Sequence, residues 1–285
     1  MVVAYLNGEF LPLAEAKVHV EDRGYQFGDG VYEVVRFYTG KDFGLAEHLQ
    51  RLGRSAAGAA IALPWSEAEL AALAREVVAR NGGMDCGLYI QVTRGVAPRN
   101  HVFVPGLAPA LVVYPLPISP ELEAKQREGI GIVTVPDDRW GRCWIKSVDL
   151  LPNILAKHAA RQAGVGEAVF VDSQGRVTEG ASTNAFIVQG GRLRTAPVTA
   201  NILNGVTRVK VLALAAKVGL QVAEELFTEA DLVAADEAFI TSTTLEVLPV
   251  VKVNGAPVHD GRPGGYTRKL QAAYRQAAGA APHPW

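Results

Sequence analysis

Cysteine is nearly absent from this chain: there are two among 285 residues, Cys86 and Cys143, far apart and never in a CxxC. That argues against a disulfide scaffold and for a reducing, cytoplasmic compartment. Charge of one sign is missing too. Lys and Arg number 28 against 29 Asp and Glu, a formal net charge of -1. A nucleic acid or an anionic membrane calls for clustered positive charge, so neither a generic nucleic-acid binder nor a polybasic membrane-surface protein fits. No apolar run is long enough to span a bilayer. The start, Met1 to Glu9, has no basic segment ahead of an apolar one, so no signal peptide is expected. Several motifs are lacking as well: GxxxxGK[ST], GxSxG and HExxH do not occur, and the six histidines show no ligand spacing. Gly28-Asp29-Gly30 lacks the third glycine of a dinucleotide fingerprint and reads as a turn. No metal site is expected.

What is present is an ordinary globular composition, 49% hydrophobic and 20% charged. The length is near the limit at which one core stops growing, so two domains are expected. The stiff run Pro115 to Pro120 marks the boundary, giving a smaller N-terminal domain over 1–118 and a larger one over 119–285. Asn7-Gly8 between apolar residues predicts a hairpin. Leu45, Leu49, Leu52 and Ala56 recur at helical spacing. Ser66-Glu-Ala-Glu69 is a capping box opening a helix through Arg80. Leu88 to Thr93 and Leu111 to Tyr114 are rich in strand formers. In the second half, strands are expected at 130–135, 168–171, 185–188 and within 239–253, and helices at 152–162, 207–218, 228–236 and 266–277. Strands and helices mix without strict alternation, which points to α+β and away from a doubly wound sheet.

Three polar segments stand in apolar surroundings: Glu21 to Glu33, Thr93 to His101, and Arg139 to Ser147. Lys146 has Trp140, Trp144 and Ile145 as sequence neighbours, with Arg139 and Arg142 nearby. Such surroundings would desolvate the amine, a setting in which lysine serves as a Schiff-base nucleophile. A snorkelling lysine at a strand end has the same local sequence.

These segments resemble the signature blocks of the fold-type IV pyridoxal-phosphate enzymes, and within them the D-amino-acid transaminases. The matching blocks are Asp22-Arg-Gly-Tyr-Gln-Phe-Gly-Asp-Gly30, Arg99-Asn-His101, Cys143-Trp-Ile-Lys146-Ser, Val177-Thr-Glu179-Gly, Gly205-Val-Thr207-Arg208 and Thr241-Ser-Thr-Thr244. They run in order over nearly the whole chain. The resemblance implies a two-domain α+β fold, pyridoxal 5'-phosphate as cofactor, and transfer of an amino group from a D-amino acid to an α-keto acid by a ping-pong cycle. It leaves open a branched-chain L-amino-acid or R-amine transaminase, and an aminodeoxychorismate lyase, of the same fold.

Carried over residue by residue, the resemblance makes Lys146 the lysine that holds the cofactor and moves the proton. Glu179 matches the carboxylate at the pyridine nitrogen, where an anion keeps the ring protonated. Arg51, Val206, Thr207, Ser242 and Thr243 match phosphate ligands. Val206 and Thr207 fall at a predicted helix start, whose backbone N–H groups suit an anion. Leu203 matches the residue that packs on one cofactor face, and Arg139 an arginine near the phenolic oxygen. Tyr32, Arg99 and His101 match a trap for the substrate carboxylate, in which Arg99 offers a forked pair of donors. In the family this trap comes from the partner subunit, which implies a homodimer with shared sites. Ala181 stands where the family often has serine, and Gly141 and Trp144 alter the bulk beside the lysine.

Overall fold

A computed structural model describes residues 1–285. Two compact units result: Met1–Ile118 with Ile145–Leu150, and Ser119–Trp144 with Leu151–Trp285. The α+β expectation holds in both.

The first unit contains β1 (Val3–Leu6), β2 (Glu9–Pro12), α1 (Arg23–Phe27), β3 (Gly30–Tyr38), β4 (Lys41–Phe43), α2 (Leu45–Gly58), α3 (Glu67–Arg80), β5 (Cys86–Thr93) and β6 (Ala110–Pro117). Its six strands pair antiparallel in the order β2-β1-β6-β5-β3-β4. The β1–β2 hairpin turns at Asn7 and Gly8, both at positive φ, as an Asn-Gly turn requires. The helical stripe Leu45, Leu49, Leu52 and Ala56 faces Val31, Val35, Leu88 and Ile90, so α2 buries one face against the sheet. Each fully buried leucine of that stripe stabilises the unit by roughly 1.5–3 kcal/mol. The capping box forms at Ser66 and Glu69.

The expectation of a single boundary at 118/119 misses one feature. Ile145–Leu150 returns to the first unit because its backbone pairs with β3. Lys146 O accepts from Tyr32 N at 2.9 Å, and Val148 N donates to Gly30 O at 3.0 Å. A strand of nine residues at 30–38 has open backbone groups at its start, and this segment satisfies them.

The second unit contains α4 (Leu122–Glu128), β7 (Ile130–Pro136), α5 (Leu151–Gln162), β8 (Glu167–Val171), β9 (Val177–Gly180), β10 (Asn184–Gln189), β11 (Arg192–Thr195), α6 (Val206–Ala215), β12 (Gln221–Glu224), α7 (Glu229–Ala234), β13 (Glu237–Ser242), β14 (Glu246–Val253), β15 (Ala256–Pro257) and α8 (Gly265–Ala278). The sheet order is β12-β11-β10-β13-β14-β7-β8-β9, with β15 on β14. Pairing is mixed: β11–β12, β14–β7 and β7–β8 are parallel. The central strands are buried on both faces, with Phe186 stacked on Phe239 at 4.8 Å. No helix is long and apolar enough to cross a membrane.

Candidate active site

Each unit carries its own group of the expected residues. In the first unit the backbone of Lys146 is pinned on two sides. Its carbonyl accepts from Tyr32 N, and its N–H donates to Ser55 Oγ of α2 at 3.1 Å. The amine, Nζ, lies 4.2 Å from the centroid of the Tyr32 ring, a cation–π distance. Trp140 and Trp144, expected to shield the lysine, are 50% and 39% exposed, and the aromatic neighbour of Lys146 is Tyr32.

Alternation along β3 puts Glu33 on the opposite face from Tyr32, under α2. Arg51 Nε and Nη2 donate to its two oxygens at 2.7 and 2.8 Å, and His48 Nδ1 lies at 2.7 Å. His48 and Arg51 are one helical turn apart on the buried face of α2. Burial pushes the Glu33 carboxyl upward. The Arg51 charge and hydrogen bonds, then His48, outweigh it and bring it from 4.5 down to about 2. Burial holds His48 below its ordinary value, against the pull of Glu33. An ionised Glu33 only accepts, so the His48 Nδ1–H donates to it. Arg51, expected as a phosphate ligand, therefore has two of its donor nitrogens engaged by Glu33.

The three expected carboxylate ligands have different ring neighbours. Arg99 and His101 lie in the exposed loop between β5 and β6 and converge on one ring. The Arg99 guanidinium is 4.5 Å from the Phe27 centroid, and the His101 ring is 5.4 Å from it. They are not on a strand, as a shared face would have required; Phe27 gives them their common side. Tyr32 is stacked on Tyr89 at 5.5 Å.

In the second unit Glu179, on β9, is 5% exposed. One carboxylate oxygen accepts from Arg139 Nη1 at 2.5 Å; the other accepts from Leu203 N at 3.0 Å and Asn184 Nδ2 at 3.2 Å. Arg139 also donates through Nε and Nη2 to Asp137, both at 2.9 Å, and covers the Phe170 ring at 4.2 Å. Its guanidinium is thus committed to two carboxylates, of which the sequence reading had foreseen neither. Burial opposes the charge on Arg139, and Asp137 and Glu179 reverse that effect. Leu203, expected as a packing residue, also supplies its N–H to Glu179 and its carbonyl to Asn184.

Gly205 caps α6 without a side-chain bond, and Val206 and Thr207 begin the helix. A Cβ on Gly205 would lie 2.1 Å from Asn184 Oδ1, so glycine there lets Asn184 reach Glu179. The run at the end of β13 is mixed. Thr241 Oγ is buried without a hydrogen-bond partner, whereas Ser242 Oγ accepts from Leu245 N at 3.2 Å; Thr243 is half-buried in the following turn.

Sequence reasoning assigned no role to Glu33, His48, Ser55, Phe27, Asp137 or Asn184. Two signals were available: His48 and Arg51 at i, i+3 on the apolar stripe of α2, and a carboxylate two residues before Arg139. The pairing of Asn184 with Glu179 across a bend has no sequence signal.

The model of the family Amino-transferase class IV matches residues 30–253. The D-alanine aminotransferase of Bacillus licheniformis is 46% identical over 271 residues, 95% of each chain. Among solved structures, the branched-chain amino acid aminotransferase of Escherichia coli superposes with a TM-score of 0.89 at 28% identity, covering 99% of this chain and 97% of that one. The branched-chain amino acid aminotransferase of Thermobaculum terrenum, in its PLP-form, gives 0.86 at 25% identity, covering 98% of this chain and 95% of that one.

Proposed function

The chain belongs to the class IV amino-transferases, and from that premise we propose that it moves the amino group of a D-amino acid to an α-keto acid. D-alanine plus α-ketoglutarate giving pyruvate plus D-glutamate is the model reaction, and pyridoxal 5'-phosphate the cofactor. The observation that carries this reading is Lys146, a half-buried amine whose backbone is pinned to β3 and α2 and which stands over an aromatic ring.

The side chains suit that cofactor. Its ring nitrogen calls for a buried anion, which Glu179 is. Its phosphate calls for N–H and hydroxyl donors. Those are supplied by the start of the ten-residue helix α6, without a side-chain cap, and by the unpartnered Thr241 hydroxyl with Ser242 and Thr243 beside it. Its carbonyl carbon calls for an amine. When bound, the cofactor supplies an electron sink for the charge left at the substrate Cα.

With the cofactor bound, Lys146 Nζ would be the base that takes the proton from the substrate Cα and the acid that gives it back. Glu179 keeps the ring nitrogen protonated, and Arg139 acts by orienting Glu179. Arg51, Val206, Thr207, Ser242 and Thr243 hold the phosphate, Arg51 being itself aimed by Glu33. Leu203 packs on a face of the ring. Tyr32, Arg99 and His101 take the substrate carboxylate. In the family this trap comes from the partner subunit, and on that ground the reading includes a homodimer that shares its sites. The exposed stripe Leu151, Ile154 and Leu155 on α5, each about 60% accessible, supports an association face. Two free cysteines suit the cytoplasm, where we place the enzyme.

The test is a half-reaction panel of paired D- and L-amino acids, following the visible absorbance of bound cofactor. Loss of absorbance with the D-enantiomers is expected. A preference for L-amino acids would overturn the assignment and favour a branched-chain enzyme. Borohydride should fix the cofactor to a peptide containing Lys146; labelling at Lys157 or another lysine would remove Lys146 from its role.

A further inference from the structure

The loop that carries Arg99 and His101 is exposed, yet it is tethered from beneath by a group no role has been assigned to. Arg23, the first residue of α1, is 3% exposed. Its Nε donates to Asp29 at 2.8 Å and its Nη1 donates to the carbonyl of Asn100. Asn100 is the residue between Arg99 and His101. The same guanidinium is 4.8 Å from the centroid of Phe27, the ring on which both Arg99 and His101 lie. Phe103, further along the loop, rests on Arg94 at 3.8 Å and on Arg23 at 5.9 Å. Arg94 in turn donates twice to Asp29, at 2.8 and 2.9 Å. Burial raises the Asp29 carboxyl, and the two arginines more than reverse that, so it stays ionised and holds both.

We propose that Arg23 is a positioning residue for substrate specificity: with one planar fork it fixes the backbone between Arg99 and His101 and the ring beneath them, and so aims both side chains at the substrate carboxylate. The inference rests on the reading of Arg99 and His101 as the carboxylate-binding pair. Asp29 sets the angle of the fork, because Nε is bound to it and the guanidinium is flat. A lysine there would reach Asp29 or Asn100 as a point donor and could not hold both in one plane. An exposed loop of about fifteen residues costs little to displace. Where the carboxylate ligands point therefore depends on this tether.

The experiment compares wild type, Arg23→Gln, Arg23→Lys and Arg99→Ala as holoenzymes. Three quantities are read: KM and kcat for D-alanine, the dissociation constant of propionate by calorimetry, and the rate at which hydroxylamine removes bound cofactor. Propionate has a carboxylate and no amine; hydroxylamine has no carboxylate. Misplacing a positioning contact costs on the order of 10- to 100-fold. Arg23→Gln should therefore raise KM and the propionate constant by about tenfold or more, with kcat and the hydroxylamine rate within about twofold of wild type. Arg23→Lys should fall between. Equal losses for propionate and hydroxylamine, or no loss of propionate binding, would overturn the inference. If Arg99→Ala itself leaves propionate binding intact, the carboxylate-pair reading fails instead. Should Arg23→Gln not accumulate as folded protein, Phe27→Leu, which keeps the Arg23–Asp29 pair, tests the same loop. It must weaken propionate selectively or the proposal falls.

Discussion

Glu33→Gln removes one charge from the most enclosed polar cluster in the first unit. Glu33 is fully buried, and Arg51 and His48 bind both its oxygens. Its carboxyl is brought from 4.5 to about 2 in the fold. That difference is worth about 3 kcal/mol of stability at neutral pH. A folded value below the unfolded one means that the contribution is fully present above about pH 4.5 and is lost as pH falls through about 2. At pH 3 about 1 kcal/mol of it remains. A glutamine keeps the shape but leaves Arg51 buried without its counter-charge, a loss of about 3–5 kcal/mol for broken buried pairs. The assay is urea unfolding followed by circular dichroism, at one protein concentration, for wild type and variant at pH 7, 5, 4 and 3. The gap should be about 3 kcal/mol or more at pH 7 and shrink by about 2 kcal/mol by pH 3, because Glu33 of the unfolded wild-type chain is then protonated and folding must release that proton, a cost the glutamine variant does not bear. A gap that stays constant with pH would refute the electrostatic account and leave only a packing effect. A gap below about 1 kcal/mol at pH 7 would show that water reaches the cluster.

Glu179→Gln should keep the cofactor bound yet slow proton removal at Cα markedly in single-turnover absorbance; unaltered half-reaction rates would mean that another acid serves the ring nitrogen. Inactive Lys146→Ala and Arg99→Ala chains, mixed and allowed to exchange subunits, should regain activity, since one site of the hybrid is whole. No recovery after verified exchange would count against a shared site. Ser66→Ala removes the side chain that accepts from Glu69 N, and should lower stability by about 1 kcal/mol without changing kinetics.

Much of the fold follows from local pattern. The Asn7-Gly8 hairpin, the apolar stripe of α2, the capping box at Ser66 and the stop at Gly219 after α6 each depend on residues within a turn or two of one another. Such features are legible because backbone sterics and hydrogen-bond spacing act over that range. Lys146, Glu179, Arg99 and the helix start at Val206 were singled out for another reason: each lies in a short block that resembles a family block, and the blocks run in family order.

What neighbours those residues have was not legible. The pairing of Lys146 with β3, the hold of Ser55 on its N–H, and the capture of Arg51 by Glu33 join segments 18 to 114 residues apart. Arg139 was expected at a cofactor oxygen, and nothing local announced that its guanidinium bridges Asp137 and Glu179. Arg23 had no role beyond its place in the block Asp22 to Gly30, and it ties down the Asn100 backbone 77 residues away. Sequence by itself determined which groups can donate, accept, carry charge or bend the chain. Tertiary structure decided which donor meets which acceptor, because a buried charge must find its partner wherever the packing of strands and helices has left one.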